Sequence, residues 1–303
     1  MKRLLACVVF TCVGSVASLG QVRHADGTPL TDMVSQAVSM ASELEATRIW
    51  AGYGLTRTMP SNTHFGWHGH DGATLGSLLR PQGSDAEQGG DAEFAIRDAA
   101  RRALSDAQNV GTLVTKEFGV LFRIDVGETG PEAIDEVRLV TFDATPGLDG
   151  LPLLWLGSRS QDASLDFLLG LDSTTHGTVR EDLVGAIGSH DAPAGVIPFL
   201  ARLVESDPEE DVRETAGQWL AARVADAMGL QRPGRRTDAE EIRRSALYAL
   251  TNSDTADATG LLLRVLETSD DSSLKRAALM QLAHVDDGGG LPALVQLARE
   301  YGR

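Results

Sequence analysis

Three histidines and an aspartate fall within eight residues at His64-Phe65-Gly66-Trp67-His68-Gly69-His70-Asp71. Imidazole nitrogen and carboxylate oxygen together make a donor set for zinc, copper or another divalent metal. His64 and His68 stand four apart, as in a helical metalloprotease site, but the residue after the first histidine is Phe65, where the general base belongs. Gly66 and Gly69 place the segment in a loop, so structural or surface histidines are the alternative to a metal site. His64, His68, His70 and Asp71 are the candidate metal ligands; no catalytic residue and no other cofactor is expected.

Other chemistries lack their residues. The sequence has no Gly-x-Ser-x-Gly elbow and no phosphate loop ending in Gly-Lys-Ser/Thr. Ser189-His190-Asp191 has the types of a catalytic triad, but adjacent residues do not converge as a triad requires, and the tripeptide is expected to be a turn between helices. Gly52-Tyr53-Gly54 lacks the third glycine of a dinucleotide fingerprint. Asp172 to Leu183 has Gly177 at the sixth place of a calcium loop but Leu183 at the twelfth, where a bidentate glutamate is needed.

The amino terminus sets the expected compartment. Lys2 and Arg3 precede an apolar run from Leu4 to Ala17, and Ser18-Leu19-Gly20 offers small residues where a leader peptidase reads them. The run falls short of the ~20 residues that a spanning helix needs. Residues 1–20 are therefore expected to be a signal peptide cleaved before Gln21, leaving a periplasmic or secreted protein with no membrane insertion. Cys7 and Cys12 both lie in this leader, so the mature chain forms no disulfide. Without Lys2 and Arg3 the 27 basic residues become 25 against 43 acidic ones, and the formal charge moves from −16 to −18. That charge repels phosphate backbones and argues against nucleic acid, while favouring solubility or a basic partner.

The positioning elements fall into two regions. In residues 21–155, Met33, Ala37, Met40, Ala41 and Leu44 follow Thr31 and Asp32 at helical spacing, which predicts a capped amphipathic helix. From Ile49 an aromatic and glycine-rich stretch predicts a short strand and a loop, and a second helix is expected over Ala92 to Ala107. Phe118, Val120, Phe122, Ile124 and Val126 alternate, as do Val137, Leu139 and Thr141 less cleanly, which predicts two paired strands; Leu151 to Leu156 is a third strand or the lead into a helix. This is a small α+β region.

Residues 156–303 carry a repeat. Val179-Arg180, Val212-Arg213, Ile242-Arg243 and Leu274-Lys275 each open a helical apolar pattern, at spacings of 33, 30 and 32 residues. A helical period of about 30–45 residues is that of an α-solenoid, in which helix pairs stack to bury a continuous core. The second unit is irregular: the helix after Leu220 runs on towards Met228, and the basic loop Gly229 to Thr237 interrupts the array.

The motifs Val-Arg-x-x-Ala-x-x-x-Leu at 212–220, Ile-Arg-x-x-Ala-x-x-Ala-Leu at 242–250 and Leu-Lys-x-x-Ala-x-x-x-Leu at 274–282 resemble the HEAT-repeat family, including its bacterial lyase-type HEAT-like units. The resemblance implies a mainly α fold, a short α-solenoid of helix pairs behind the α+β region. It also implies that an Asp six residues before an Arg ties adjacent repeats; Asp207 with Arg213 matches, and Asp270 with Arg276 sits one position off register. By resemblance alone, the lyase-type members imply bilin attachment.

The repeat places Arg180, Arg213, Arg243 and Lys275 at equivalent points of successive helices, either tying repeats together or meeting an acidic ligand, and the nearby Asp207, Glu209 and Asp211 favour the internal role. Trp219 and Tyr248 fall near core positions of the repeat. The expected function is an exported, non-enzymatic protein-binding scaffold or adaptor, with Arg213, Trp219, Arg235, Arg236 and Arg243 as candidate contacts for a protein partner. The alternative is a metal-binding protein or metal-dependent enzyme using His64 to Asp71.

Overall fold

The computed structural model describes residues 19–21, 28–66, 73–80, 112–128, 133–191, 193–230, 238–251, 257–285 and 288–302. The predicted helix over 92–107 and the loop 231–237 lie outside them. The chain divides into two compact units, Met1–Thr175 and His176–Arg303.

The first unit is built on a mixed sheet in the order β1 (Leu19–Gln21), β5 (Leu153–Ser158), β2 (Arg48–Pro60), β3 (Leu113–Asp125), β4 (Ile134–Thr141). β5 runs parallel to both β1 and β2, whereas β3 is antiparallel to β2 and β4. Among the described residues three helices accompany it: α1 (Leu30–Glu43), the short α2 (Leu75–Leu79) and α3 (Gln161–Asp172).

Both faces of the sheet are covered. Trp50, Leu121, Leu153 and Trp155 pack with Leu75 of α2 and with Val140, Ala144 and Leu148. On the opposite face Tyr53 and Phe122 meet Phe167 of α3, with ring centroids 5.6–6.4 Å apart. The Tyr53 hydroxyl shares a 2.7 Å hydrogen bond with Ser164. Close packing uses the glycines: a Cβ on Gly52 would meet Leu121 Cδ2 at 2.3 Å, and one on Gly119 would meet Leu75 Cδ2 at 2.8 Å. Two-sided burial also explains why β2 spans 13 residues instead of the short strand and loop expected from its sequence. A strand buried on both faces loses the apolar–polar alternation that marks it.

The second unit is helical among the described residues: α4 (Gly177–Gly188), α5 (Pro193–Ser206), α6 (Glu210–Ala227), α7 (Asp238–Thr251), α8 (Ala258–Thr268), α9 (Ser272–Leu282) and α10 (Gly290–Tyr301). The four repeat copies fall on α4, α6, α7 and α9. They do not form an open array. α6 packs against α4, α5, α9 and α10, and α10 returns to α5 as well. Arg299 of α10 pairs with Glu205 of α5, and Leu291 of α10 packs where a Cβ on Gly217 of α6 would stand, 2.7 Å away.

The expectation of a mainly α protein organised as a HEAT-like α-solenoid is therefore overturned: the mixed sheet makes this an α+β protein. In a solenoid each repeat touches only its neighbours. Here α10 closes back onto α5 and α6, so the core gathers around α6 rather than running along an axis.

Candidate functional site

The basic row resolves into internal ties. Asp207, in the turn between α5 and α6, is buried, and its carboxylate receives both terminal nitrogens of Arg180 from α4, Nη1 at 2.9 Å from Oδ1. The Glu209 amide donates to the same oxygen at 3.1 Å. Glu209 in turn accepts from Arg180 Nη1 at 3.1 Å and from the Gly177 amide at 2.9 Å, at the start of α4. Burial raises the Asp207 pKa, but the Arg180 donors, the Glu209 amide and the charges of Arg180 and Arg213 outweigh it and hold the carboxyl below its usual range. Arg213 donates to the main-chain carbonyls of Asp207 and Pro208 at 2.7 and 3.2 Å.

The spacing rule thus finds the right aspartate but not its partner, because the carboxylate reaches back one copy to Arg180. The same link recurs two copies on, where Arg243 of α7 lies 2.9 Å from Asp271, which caps α9 through the Ser273 and Leu274 amides. Arg276 does not join Asp270; it donates to Asp226 and to the Leu230 carbonyl at 2.8 and 2.7 Å.

Trp219, a candidate contact, is half-buried against the glycine face of α4. Its Nε1 is 3.4 Å from where a Gly185 Cβ would stand, and its ring carbons Cγ and Cδ2 are 2.5 and 2.6 Å from that of Gly188. Arg213 and Trp219 are therefore engaged within the unit. Arg235 and Arg236 lie outside the described residues. Ser189 and His190 are buried at the end of α4, and both hydrogen-bond the Ala186 carbonyl, at 2.7 Å from the hydroxyl and 2.9 Å from Nδ1. The tripeptide is a helix-ending turn, as its sequence indicates.

An outward surface of a different kind lies on α7. Ile242 is 68% exposed and Tyr248 57% exposed, and Ser245, Ala246 and Ala249 around them are exposed too. At ~100° per residue, Ser245 falls between Ile242 and Tyr248 on one helix face. The repeat alignment expects Ile242 and Ala246 inside; Leu247 is buried instead. α7 packs chiefly on α8 and α9 and lies off the cluster around α6, so its burial follows one narrow line. Arg243 and Arg244 edge the exposed face, Arg244 lying 3.6 Å from Glu241.

In the first unit His64 Nδ1 lies 3.2 Å from Asp143 Oδ2, and Lys116 Nζ lies 3.6 Å from the same oxygen while donating to the Thr63 carbonyl at 3.0 Å. Burial raises the Asp143 pKa, and the Thr141 hydroxyl, Lys116 and His64 together reverse it to a net lowering. Sequence reading missed Asp143 and Lys116, which come to His64 from the β3–β4 side of the sheet across gaps of 79 and 52 residues, with no local signal. His68, His70 and Asp71 lie outside the described residues, among which no group of three or more His, Cys, Asp or Glu is placed to hold a metal ion. A cavity of about 510 Å³ opens where α1 and α3 begin, with Thr28, Ser158, Arg159 and Asp166 over an apolar floor of Leu30 and Phe167.

Among the described residues no helix is long and apolar enough to cross a membrane. No protein-family model, curated protein or solved structure matches the chain.

Proposed function

We propose that this chain is a non-enzymatic protein-binding adaptor of an exported compartment, and that α7 carries the contact. The observation behind this reading is the pair Ile242 and Tyr248, two large side chains left in water on one helix face. Their exposure forgoes the gain of burying apolar area, which a partner recovers. A tyrosine and an isoleucine edged by Arg243 and Arg244 have the make-up of an interface centre with a charged rim. Export is supported by the leader-like residues 1–20.

A photo-crosslinking residue at Tyr248, tested in the native envelope fraction, is expected to trap one discrete partner that the same residue at Asp166, on the other unit, does not trap. Identical products from both positions, or none from either while the pure protein turns over a substrate, would remove the reading.

Metal binding at His64 is a second reading, favoured by Asp143 on Nδ1, since metal-bound imidazoles commonly have their other nitrogen held by a carboxylate. Lys116 beside the same carboxylate works against a cation. Elemental analysis of protein made without a histidine tag decides it: less than about 0.1 metal per chain eliminates the site, given how tightly such sites hold zinc.

A further inference from the structure

We infer that the outer edge of β5 is a strand-accepting site for an extended segment of a partner protein, closed in the unprocessed chain by that chain's own Leu19–Gln21. The inference rests on the export reading in one respect, that cleavage falls between Gly20 and Gln21.

β5 lies between β1 and β2 and is parallel to both. The Trp50 amide of β2 donates to the Pro152 carbonyl at 2.8 Å. Main-chain polar groups alternate sides along a strand, so those of Leu153 and Trp155 face away from β2, towards β1. The register sets Leu19 opposite Leu153, Gly20 opposite Leu154 and Gln21 opposite Trp155. In a parallel pair the residue opposite Leu154 is the one placed to bridge its two neighbours, which makes Gly20 the centre of the pairing.

Leader cleavage would remove Leu19 and Gly20 and leave one residue of the strand. With β1 in place Leu153, Leu154, Trp155 and Leu156 are all buried; without it the main-chain groups of Leu153 and Trp155 that face β1 lose their strand partners, and such groups are almost always paired where they stay out of water. Leu153 to Ser158 contains neither charge nor proline, two of the devices that blunt an edge. The freed edge therefore calls for another strand. A second copy is the poorer occupant, since a two-fold axis would bring β5 against β5 antiparallel, whereas the edge is used here in parallel. A partner's extended segment, added in parallel as Leu19–Gln21 is, satisfies the same groups.

The test compares the full chain, the chain beginning at Gln21 and the full chain carrying Gly20→Pro. The probe is a fluorescein-labelled synthetic peptide of residues 16–22, followed by anisotropy and by hydrogen exchange at the Leu153 and Trp155 amides. The chain beginning at Gln21 and the Gly20→Pro chain are expected to bind the peptide at least tenfold more tightly than the full chain, with slowed exchange at both amides. Equal binding by all three chains, no binding with both amides still protected, or dimerisation of the chain beginning at Gln21 in sedimentation would each overturn the site. Mass spectrometry of the exported protein tests cleavage separately: a terminus upstream of Leu19 defeats cleavage between Gly20 and Gln21, while Gly20→Pro still tests the edge.

Discussion

Arg180 holds Asp207 through both of its terminal nitrogens, across the 27 residues between α4 and the turn before α6, and it does so with both side chains largely out of water. A pair of this kind is far more costly to break than to lack, since removing one partner strands the other charge. Arg180→Ala is expected to destabilise the second unit by about 3–5 kcal/mol. Arg243→Ala, whose guanidinium is half-exposed beside Asp271, is expected to cost about 0–1 kcal/mol. Urea unfolding of the two variants checks the contrast, and equal losses would show that burial does not set the strength of these links.

The same carboxylate makes stability depend on acid. Asp207 and Asp143 are held below the usual carboxylate range against the pull of burial, and Asp271 is lowered chiefly by the Leu274 amide. A depressed folded-state pKa means that the unfolded chain binds more protons, so stability rises with pH through this window. The contribution is whole above the unfolded value of about 3.9 and is lost as pH falls through the folded values below it. The melting temperature is expected to drop steeply below about pH 4, and Asp207→Asn, already destabilised, to show a shallower drop. An unchanged slope in that variant would take Asp207 out of the account.

Much of this framework was legible in the sequence, and what was not has a physical cause. The alternation from Phe118 to Ile124 predicts β3, and β4 does pair with it. The repeat locates α4, α6, α7 and α9, because helical periodicity is local. The spatial arrangement of those helices is not, and nothing near residue 290 announces that α10 packs on α5 and α6. β2 hides its length because Gly52 and Gly54 stand where large residues would, making room for Leu121 and Trp155. The His64 cluster was visible, but the ammonium and carboxylate that meet it come from β3 and from just past the end of β4.

Gly188 is a tight seat against the Trp219 ring. A Cβ there would lie 2.5 Å from Trp219 Cγ, whereas one on Gly185 would be 3.4 Å from Nε1. Gly188→Ala is expected to cost about 1–3 kcal/mol through overpacking, and Gly185→Ala to be near neutral or slightly stabilising, since alanine is the better helix former. Pairing Gly188→Ala with Trp219→Ala, which removes Cγ and Cδ2, should cost less than the two single losses added together. Thermal melts of these proteins measure this, and a harmless Gly188→Ala would mean that Trp219 has other room to move.

Tyr53 joins the sheet to α3 from a fully buried position, and burial pushes its phenol well above the ordinary tyrosine range despite the Ser164 hydroxyl. Tyr53→Phe keeps the ring contacts with Phe122 and Phe167 and removes only the polar link, leaving Ser164 to find a new partner. The expected cost is about 1 kcal/mol. In an alkaline titration followed at 295 nm the Tyr53 phenolate should appear only as the first unit unfolds, so the step that coincides with loss of circular dichroism should vanish in Tyr53→Phe. If that step persists, the buried phenol is not what holds back the ionisation.

Ile242 and Tyr248 separate folding from binding. Because both point to water, Ile242→Ser and Tyr248→Ser are expected to change stability by no more than about 0.5 kcal/mol. Truncating interface-centre residues of these types typically costs about 2 kcal/mol or more in affinity, so the doubly substituted chain should lose its partner while melting like the parent. Trp219→Ala makes the opposite case, because its ring fills the glycine face of α4; it should lower the melting temperature and leave binding per folded molecule unchanged. A double variant that melts early would instead place Ile242 and Tyr248 in the fold itself.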